Sequence, residues 1–366
     1  MLALLLFGCA PPAPAPAFGP CTLVEAPAAG PLAAERAATQ EPIALARLFI
    51  QEARLTSDAG FYTLAEAALD CHLQTAPTDR EAIRLRDHVQ VQFHRFVEVE
   101  ADAKRLTGAG ATWLDWALLG DAQMEQGKLD EAAASYQTAM DLRPGLEMYD
   151  RVAWLRWLWG DVEGALALQR DAVAAGSPRD PEPLAWVLTR LGWLNALGGR
   201  PSPELDAALA LLPDYRPAHF HRGRVRLAGA DPASAAEDLR AAGATVEAVW
   251  ALSEIDATAS VEAVRSQDPR GYAMWLTPRD PKEALAILEE EWRVRQDATT
   301  RMARAWAAWH AHDPSLDAAA EARTALATGI VEPRVLRMGG QVLADPALVA
   351  RALAMGPGLL PSERVP

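Results

Sequence analysis

Apolar and small residues recur along the middle of the chain with a helical period, in paired runs separated by a glycine. Between Trp113 and Leu146, Trp116, Leu119 and Gln123 fall at i, i+3 and i+7, so they share one helix face. Gly120 lies on that face and leaves room for a second helix to approach. Gly127 ends the first run near a left-handed position. Ala132, Tyr136 and Ala139 then mark the packing face of a second run, which Pro144 stops. The pattern predicts two antiparallel helices, and it returns three times downstream. Gly160 with Ala165 and Ala172 marks the second unit. Leu188, Leu191 and Gly192 mark the third, whose second helix is short and begins at Pro201 and Pro203. Gly223, Ala235 and Ala242 mark the fourth. Upstream, Ala65 and Pro77 fit the second helix of a degenerate unit, with His72 where a small residue is expected. A further pair is expected between Arg80 and Leu106. Beyond the fourth unit the pattern loosens. Helices are expected near Val246–Ile255, Ser260–Ser266, Pro281–Arg295, Thr300–His310 and Leu316–Ala327, then short helices alternating with turns.

The unit at 113–146 resembles a tetratricopeptide repeat (TPR), whose pattern is W-x2-L-G-x2-Y, then A-x3-F, then P. Trp116, Leu119, Gly120, Ala132, Tyr136, Ala139 and Pro144 match it, and Gln123 stands where the tyrosine belongs. The stretch at 322–336 resembles the closing part of many bacterial TPR proteins. The resemblance covers residues 42–354, most clearly 113–243. It implies an all-α fold: a TPR-type right-handed superhelical solenoid of antiparallel helix pairs. A single pair cannot bury its apolar face, so stacked neighbours bury it jointly. The family usually takes a peptide or partner helix on the concave surface lined by the first helix of each pair.

That surface is expected to carry Asp121 and Met124 in the first clear unit. In the second it carries Asp150, Arg151, Trp154 and Trp157, and in the third Trp186 and Trp193. Tryptophan and arginine dominate binding hot spots, which points to a partner-binding groove. The competing reading makes these tryptophans inter-repeat core. The lysine–asparagine–arginine clamp of chaperone-binding TPRs is not matched: Ala117, Asp121 and Arg151 stand at the corresponding inner positions, and Asp121 would repel a carboxylate.

Composition supports helix and restricts partners. Half of the 366 residues are apolar, which suffices for a large core. The net charge is −14, without a basic stripe, so nucleic acid is not an expected partner. The polybasic cluster that would hold a chain on anionic lipid is also missing.

The N-terminus has another character. Leu2–Gly8 is an apolar run of signal-peptide type, lacking a charged flank. Leu6–Cys9 resembles the lipobox of bacterial lipoproteins, with Phe7 a departure from the usual small residue. The resemblance implies a signal peptide at 1–8 and lipidation of Cys9. Ala10, in place of an aspartate, implies the outer membrane rather than inner-membrane retention. Residues 9–41 read as a Pro/Ala-rich extended tether and disordered linker, and 355–366 as a frayed tail. Cys21 and Cys71 would be left over. An oxidising periplasm permits a bond between them, but spacing sets no geometry, and the expectation is an unbonded Cys71 buried in a helix.

Catalytic and metal signatures are missing. There is no HExxH, GxxxxGK[ST] or GxSxG. The pairs His219/His221 and His310/His312 have i, i+2 spacing, which points the two rings to different sides of a helix. No cofactor, metal or small-molecule substrate is expected, and no enzyme. The expected function is a protein-interaction scaffold, lipid-anchored at the outer membrane or in the periplasm, with a protein or peptide partner. It touches the membrane only through the anchor. A structural spacer without a groove ligand is the alternative, as is a soluble TPR adaptor if the signal is not processed.

Overall fold

The computed structural model describes residues 30–56 and 58–364. The expected signal peptide, Cys9 and most of the tether lie outside them. Among the described residues there are helices and turns and no strand. After a short helix α1 (Ala33–Ala37) come the pairs α2/α3 (Pro42–Thr56, Gly60–Thr75) and α4/α5 (Arg80–Gln92, Phe96–Leu106). The four clear repeats are α6/α7 (Trp113–Glu125, Leu129–Leu142), α8/α9 (Leu146–Leu158, Val162–Ala175), α10/α11 (Pro181–Leu197, Glu204–Leu211) and α12/α13 (Arg216–Ala228, Pro232–Ala241). A half-pair α14 (Val246–Ser253) follows with one 3-10 turn at Val261–Val264. The last pairs are α15/α16 (Pro269–Leu276, Pro281–Val294), α17/α18 (Ala298–Ala311, Ala318–Leu326) and α19/α20 (Pro333–Val342, Pro346–Leu353). The fold is an all-α, TPR-type helical solenoid.

The local cause of each hairpin is visible in the turn. After the first helix one residue takes positive φ: Gly127 (75°), Gly160 (79°), Gly199 (68°) and Ala230 (60°) in the clear repeats, and His94, His312 and Ala344 outside them. The next N–H then reaches the carbonyl five residues back, as in Lys128 to Gln123, Asp161 to Arg156, Arg200 to Asn195 and Asp231 to Arg226, at 2.9–3.0 Å. This closing bond satisfies a carbonyl that the helix end would otherwise leave open. The glycine on the packing face is also required. A Cβ at Gly120 would lie 2.5 Å from the Tyr136 ring, one at Gly192 2.8 Å from Leu205, and one at Gly223 2.9 Å from Leu239.

Three expectations need correction. Helix α15 was not foreseen, and the segment expected to be helical at 260–266 holds only the 3-10 turn. The linker up to residue 41 is not structureless throughout: in α1, Arg36 is buried, ion-pairs with Glu52 of α2 and lies over the Phe49 and Phe61 rings. The C-terminal tail is not frayed. Leu359 and Leu360 are each 1% exposed. Gly358 packs on Pro333 and Leu197, Glu363 pairs with Arg334 at 2.8 Å, and the Ser362 N–H donates to Glu254 at 3.0 Å.

These late elements close the array on its own middle. The loop between α18 and α19 lies on the ends of the first clear repeats. The Val331 N–H donates to the Leu158 carbonyl at 3.1 Å, and Ile330 joins the core of α6–α9. Thr328 lies against Gly127, and Val331 and Arg351 lie against Gly160.

Candidate functional site

The first helices carry a continuous row of acids, arginines and tryptophans that bridges one repeat to the next. Asp121 of α6 accepts from Arg151 of α8 through Nε (2.9 Å) and Nη2 (3.0 Å), and from the Tyr136 hydroxyl at 2.7 Å. Asp150, one residue before Arg151, serves the following repeat instead. It accepts from Trp186 Nε1 of α10 and Gln169 Nε2, both at 3.0 Å, and pairs with Arg190 at 3.3 Å. The Arg190 guanidinium lies 4.2 Å from the Trp154 ring centre and 5.5 Å from that of Trp186. Trp193 continues the row against His221 of α12 (4.6 Å) and Arg224 (5.3 Å). Burial and the neighbouring Arg224 push His221 down to about 3, so its ring is neutral at physiological pH.

The structure thus brings Asp121, Asp150, Arg151, Trp154, Trp186 and Trp193 together in one row. All six side chains remain partly solvent-accessible. Their charges are nevertheless matched internally, one repeat to the next. Trp157 does not belong to the row. It is 2% exposed and packs in the core of α6–α9, with Ile330 in the same cluster, and so is out of reach of a groove ligand. Sequence reasoning missed Arg190, Arg224 and His221. Arg190 carried a readable signal: it lies four residues after Trp186, on the same helix face.

Met124 and Trp154 also line a cavity of about 330 Å3, the second component of the inner surface. Its walls come almost wholly from first helices and the loops at their ends. Its apolar lining comes from Met124, Leu129, Trp154, Leu158, Met274 and Ile330. Most of the rest is charged. Asp297, buried, caps α17 through the Thr300 N–H (2.9 Å) and is held by Arg295 (3.0 Å) and Arg270 (3.3 Å). Glu247 takes both its hydrogen bonds from Arg334 Nη1, at 2.7 and 2.8 Å. Glu332 accepts the Val335 N–H at the start of α19. Glu125, the last residue of α6, makes no hydrogen bond or ion pair with any described residue. Burial, with Asp297 nearby, pushes its carboxyl up to about 7 against the pull of Arg295 and Arg270.

The pair His219/His221 diverges as its spacing predicts. His219 lies between Asp238 (2.8 Å) and the Pro213 carbonyl (2.8 Å), whereas His221 faces Trp193. Among the described residues no three His, Cys, Asp or Glu side chains converge as a metal site would require. Cys71, expected to be unbonded, is disulfide-bonded. The other two cysteines of the chain, Cys9 and Cys21, precede the described residues.

No family model matches the chain, and no curated protein matches it. Similar solved structures include Cut9 in the APC/C hetero-tetramer Cut9–Hcn1, at 14% identity over 84% of this chain, with a TM-score of 0.45. This chain covers 55% of Cut9. The human IFIT1 dimer with PPP-AAAA is similar at 11% identity, over 86% of this chain and 70% of that one, with a TM-score of 0.44. Yeast Tom70 is similar at 12% identity over 88% of both chains, with a TM-score of 0.38. At these identities and TM-scores, what the inner surface does must be read from its own residues.

Proposed function

We propose that the chain is a protein-interaction scaffold that holds a partner peptide or helix on the row formed by Trp154, Trp186 and Trp193. The observation that carries this reading is the way those rings are held. Trp154 and Trp193 each lie beside a guanidinium of the next repeat and Trp186 donates a hydrogen bond to Asp150 of the preceding one, yet all three keep part of their surface in solvent. Rigid aromatic surface beside guanidinium groups binds at low entropic cost. Because Asp121, Asp150, Arg151 and Arg190 neutralise one another, recognition rests on aromatic and apolar contact rather than on charge pairing.

We further propose that the scaffold is lipid-anchored through Cys9 at the bacterial envelope, in the outer membrane or periplasm. The lipobox-like Leu6–Cys9 and the Pro/Ala spacer support this. The disulfide at Cys71 supports it independently, since such bonds persist in oxidising compartments. With Cys9 lipidated, Cys21 is the cysteine left to pair with Cys71.

Affinity recovery of the envelope partner with Trp154→Ala and Trp186→Ala tests the binding reading. Recovery is expected to fall at least about tenfold in the double variant, with the melting temperature nearly unchanged. Unchanged recovery supports a spacer instead. Mass spectrometry of the mature N-terminus is expected to find a diacylglyceryl group on Cys9; an unmodified chain beginning at Met1 would end the anchoring claim.

A further inference from the structure

The cavity beside Trp154 carries two opposite charges with hydrogen-bonding capacity to spare. Arg295 is 8% exposed and lines the cavity, yet it donates only through Nε, to Asp297. Its two terminal amino groups have no hydrogen-bond partner among the described residues. Glu125, on another part of the wall, has none either. The two feel one another's charge, but no ion pair joins them. The other acids on the wall are paired: Asp297 by Arg270 and Arg295, Glu247 by Arg334, Glu332 by a backbone N–H. Arg270 and Arg334, each in an ion pair, also keep one nitrogen without a partner among the described residues, Nε and Nη2 respectively.

Neither the terminal nitrogens of Arg295 nor the carboxylate oxygens of Glu125 are fully buried, so both are reached by solvent entering the cavity. A molecule bearing both complementary charges would replace that water and pair both groups at once. The remaining wall is apolar, with the unbranched side chains of Met124 and Met274 able to adapt to a varied surface. A volume of about 330 Å3 lies at the small end of the usual range for ligand pockets, about 300–1,000 Å3. A nucleotide or an extended peptide is a poor fit to that size.

We propose that this cavity is a binding site for a small zwitterion with an apolar body, an α-amino acid of the leucine or methionine type. The Arg295 fork takes its carboxylate by two charge-assisted hydrogen bonds, Glu125 takes its ammonium, and its side chain lies among Met124, Trp154, Met274 and Ile330. This goes against the expectation, drawn from the sequence, of no small-molecule ligand. The site shares Trp154 with the tryptophan row, but neither Glu125 nor Arg295 belongs to that row, so variants at these two residues test it apart from partner binding. It also carries a proton signature. Glu125 faces Asp297, Asp121, Arg295 and Arg270. Its carboxyl is part-protonated near neutral pH, so an ammonium arriving there expels a proton, and affinity rises between pH 6 and 7.5.

Titration calorimetry on the full chain tests this with L-leucine, L-methionine and L-phenylalanine as probes, beside leucinamide and 4-methylpentanoate. At least one amino acid is expected to bind saturably. Removing either charge from leucine should weaken binding by about tenfold or more. Glu125→Gln should weaken the amino acid but not 4-methylpentanoate, and should abolish proton release. Arg295→Gln removes the carboxylate partner; Asp297 keeps Arg270 and Thr300, and a melting curve shows whether that variant folds. If it does not, Glu125→Gln decides alone. No saturable binding by any of the three amino acids, equal binding of leucinamide, or an unchanged affinity in Glu125→Gln would each overturn the proposal.

Discussion

At the scale of single residues, the positions readable in advance were those with a purely local reason. Gly120 is small because Tyr136 occupies the space a Cβ would need, and the repeat spacing exposes that need directly. Trp154 and Trp157 show where local reading ends. Their spacing assigns them to one face, but Trp157 is buried in a cluster that draws residues from α6 to α10 and, far along the chain, Ile330. Asp87 was not legible at all, since nothing in its neighbourhood in sequence marks it as buried. It is 0% exposed, neither carboxylate oxygen has a hydrogen-bond partner, and burial, with Asp102 close by, pushes it up to about 8. Asp115 acts in the same direction, while Arg86 and Arg105 oppose it. The unfolded chain ionises this group from about pH 4, whereas the folded chain keeps it protonated until about pH 8. The unfolded state therefore binds fewer protons across that window, and stability falls as pH rises, on the order of 1 kcal/mol per pH unit from this site. Asp87→Asn mimics the protonated acid. Urea titrations are expected to show it more stable than the parent at pH 8 and equal to it near pH 4; a gap independent of pH would rule this out.

At the scale of helices, the paired pattern placed α2–α14 and most of the later elements because capping, turn and packing signals agree within each unit. Helix α15 escaped because its apolar run is short. Asp268–Pro269, an acid followed by proline at the first helical position, was the signal that marks its start. The turns offer a prediction of their own. In the clear repeats glycine takes the positive φ at three turns, but Ala230 takes it at the fourth and Ala344 at the last. An L-residue there pays a steric cost that glycine avoids, about 1–2 kcal/mol, partly offset by glycine's greater freedom in the unfolded chain. Ala230→Gly and Ala344→Gly are each expected to stabilise the fold by up to about 1 kcal/mol in denaturant titrations. Destabilisation by both would mean that the methyl groups contribute packing that outweighs the strain.

At the scale of the whole molecule, sequence reasoning described an open array with a loose end, and the structure closes it. A Gly/Pro-rich terminus reads as frayed because no periodic apolar face announces it. Leu359 clusters with Val331 and with Leu336 and Ala352 of the last repeat, and Leu360 joins the larger core that runs from Leu227 to Met338; only the folded array brings these surfaces together. Leu360→Ala is expected to cost about 2–5 kcal/mol in chemical denaturation, as in an ordinary core; a cost below about 0.5 kcal/mol would show that the end is loosely held. Closure also decides which surface remains for partners. Trp157 is buried, whereas Trp154, Trp186 and Trp193 stay partly accessible along the first helices. That the accessible row is where the partner binds is the central claim. It is tested most directly by replacing Trp186, and separately Trp309, an exposed tryptophan of α17 that is not part of the row, with a photoreactive phenylalanine analogue and irradiating intact cells. The account predicts a discrete crosslinked adduct from position 186 and none from position 309. The same adducts from both positions, or none from 186, would contradict it.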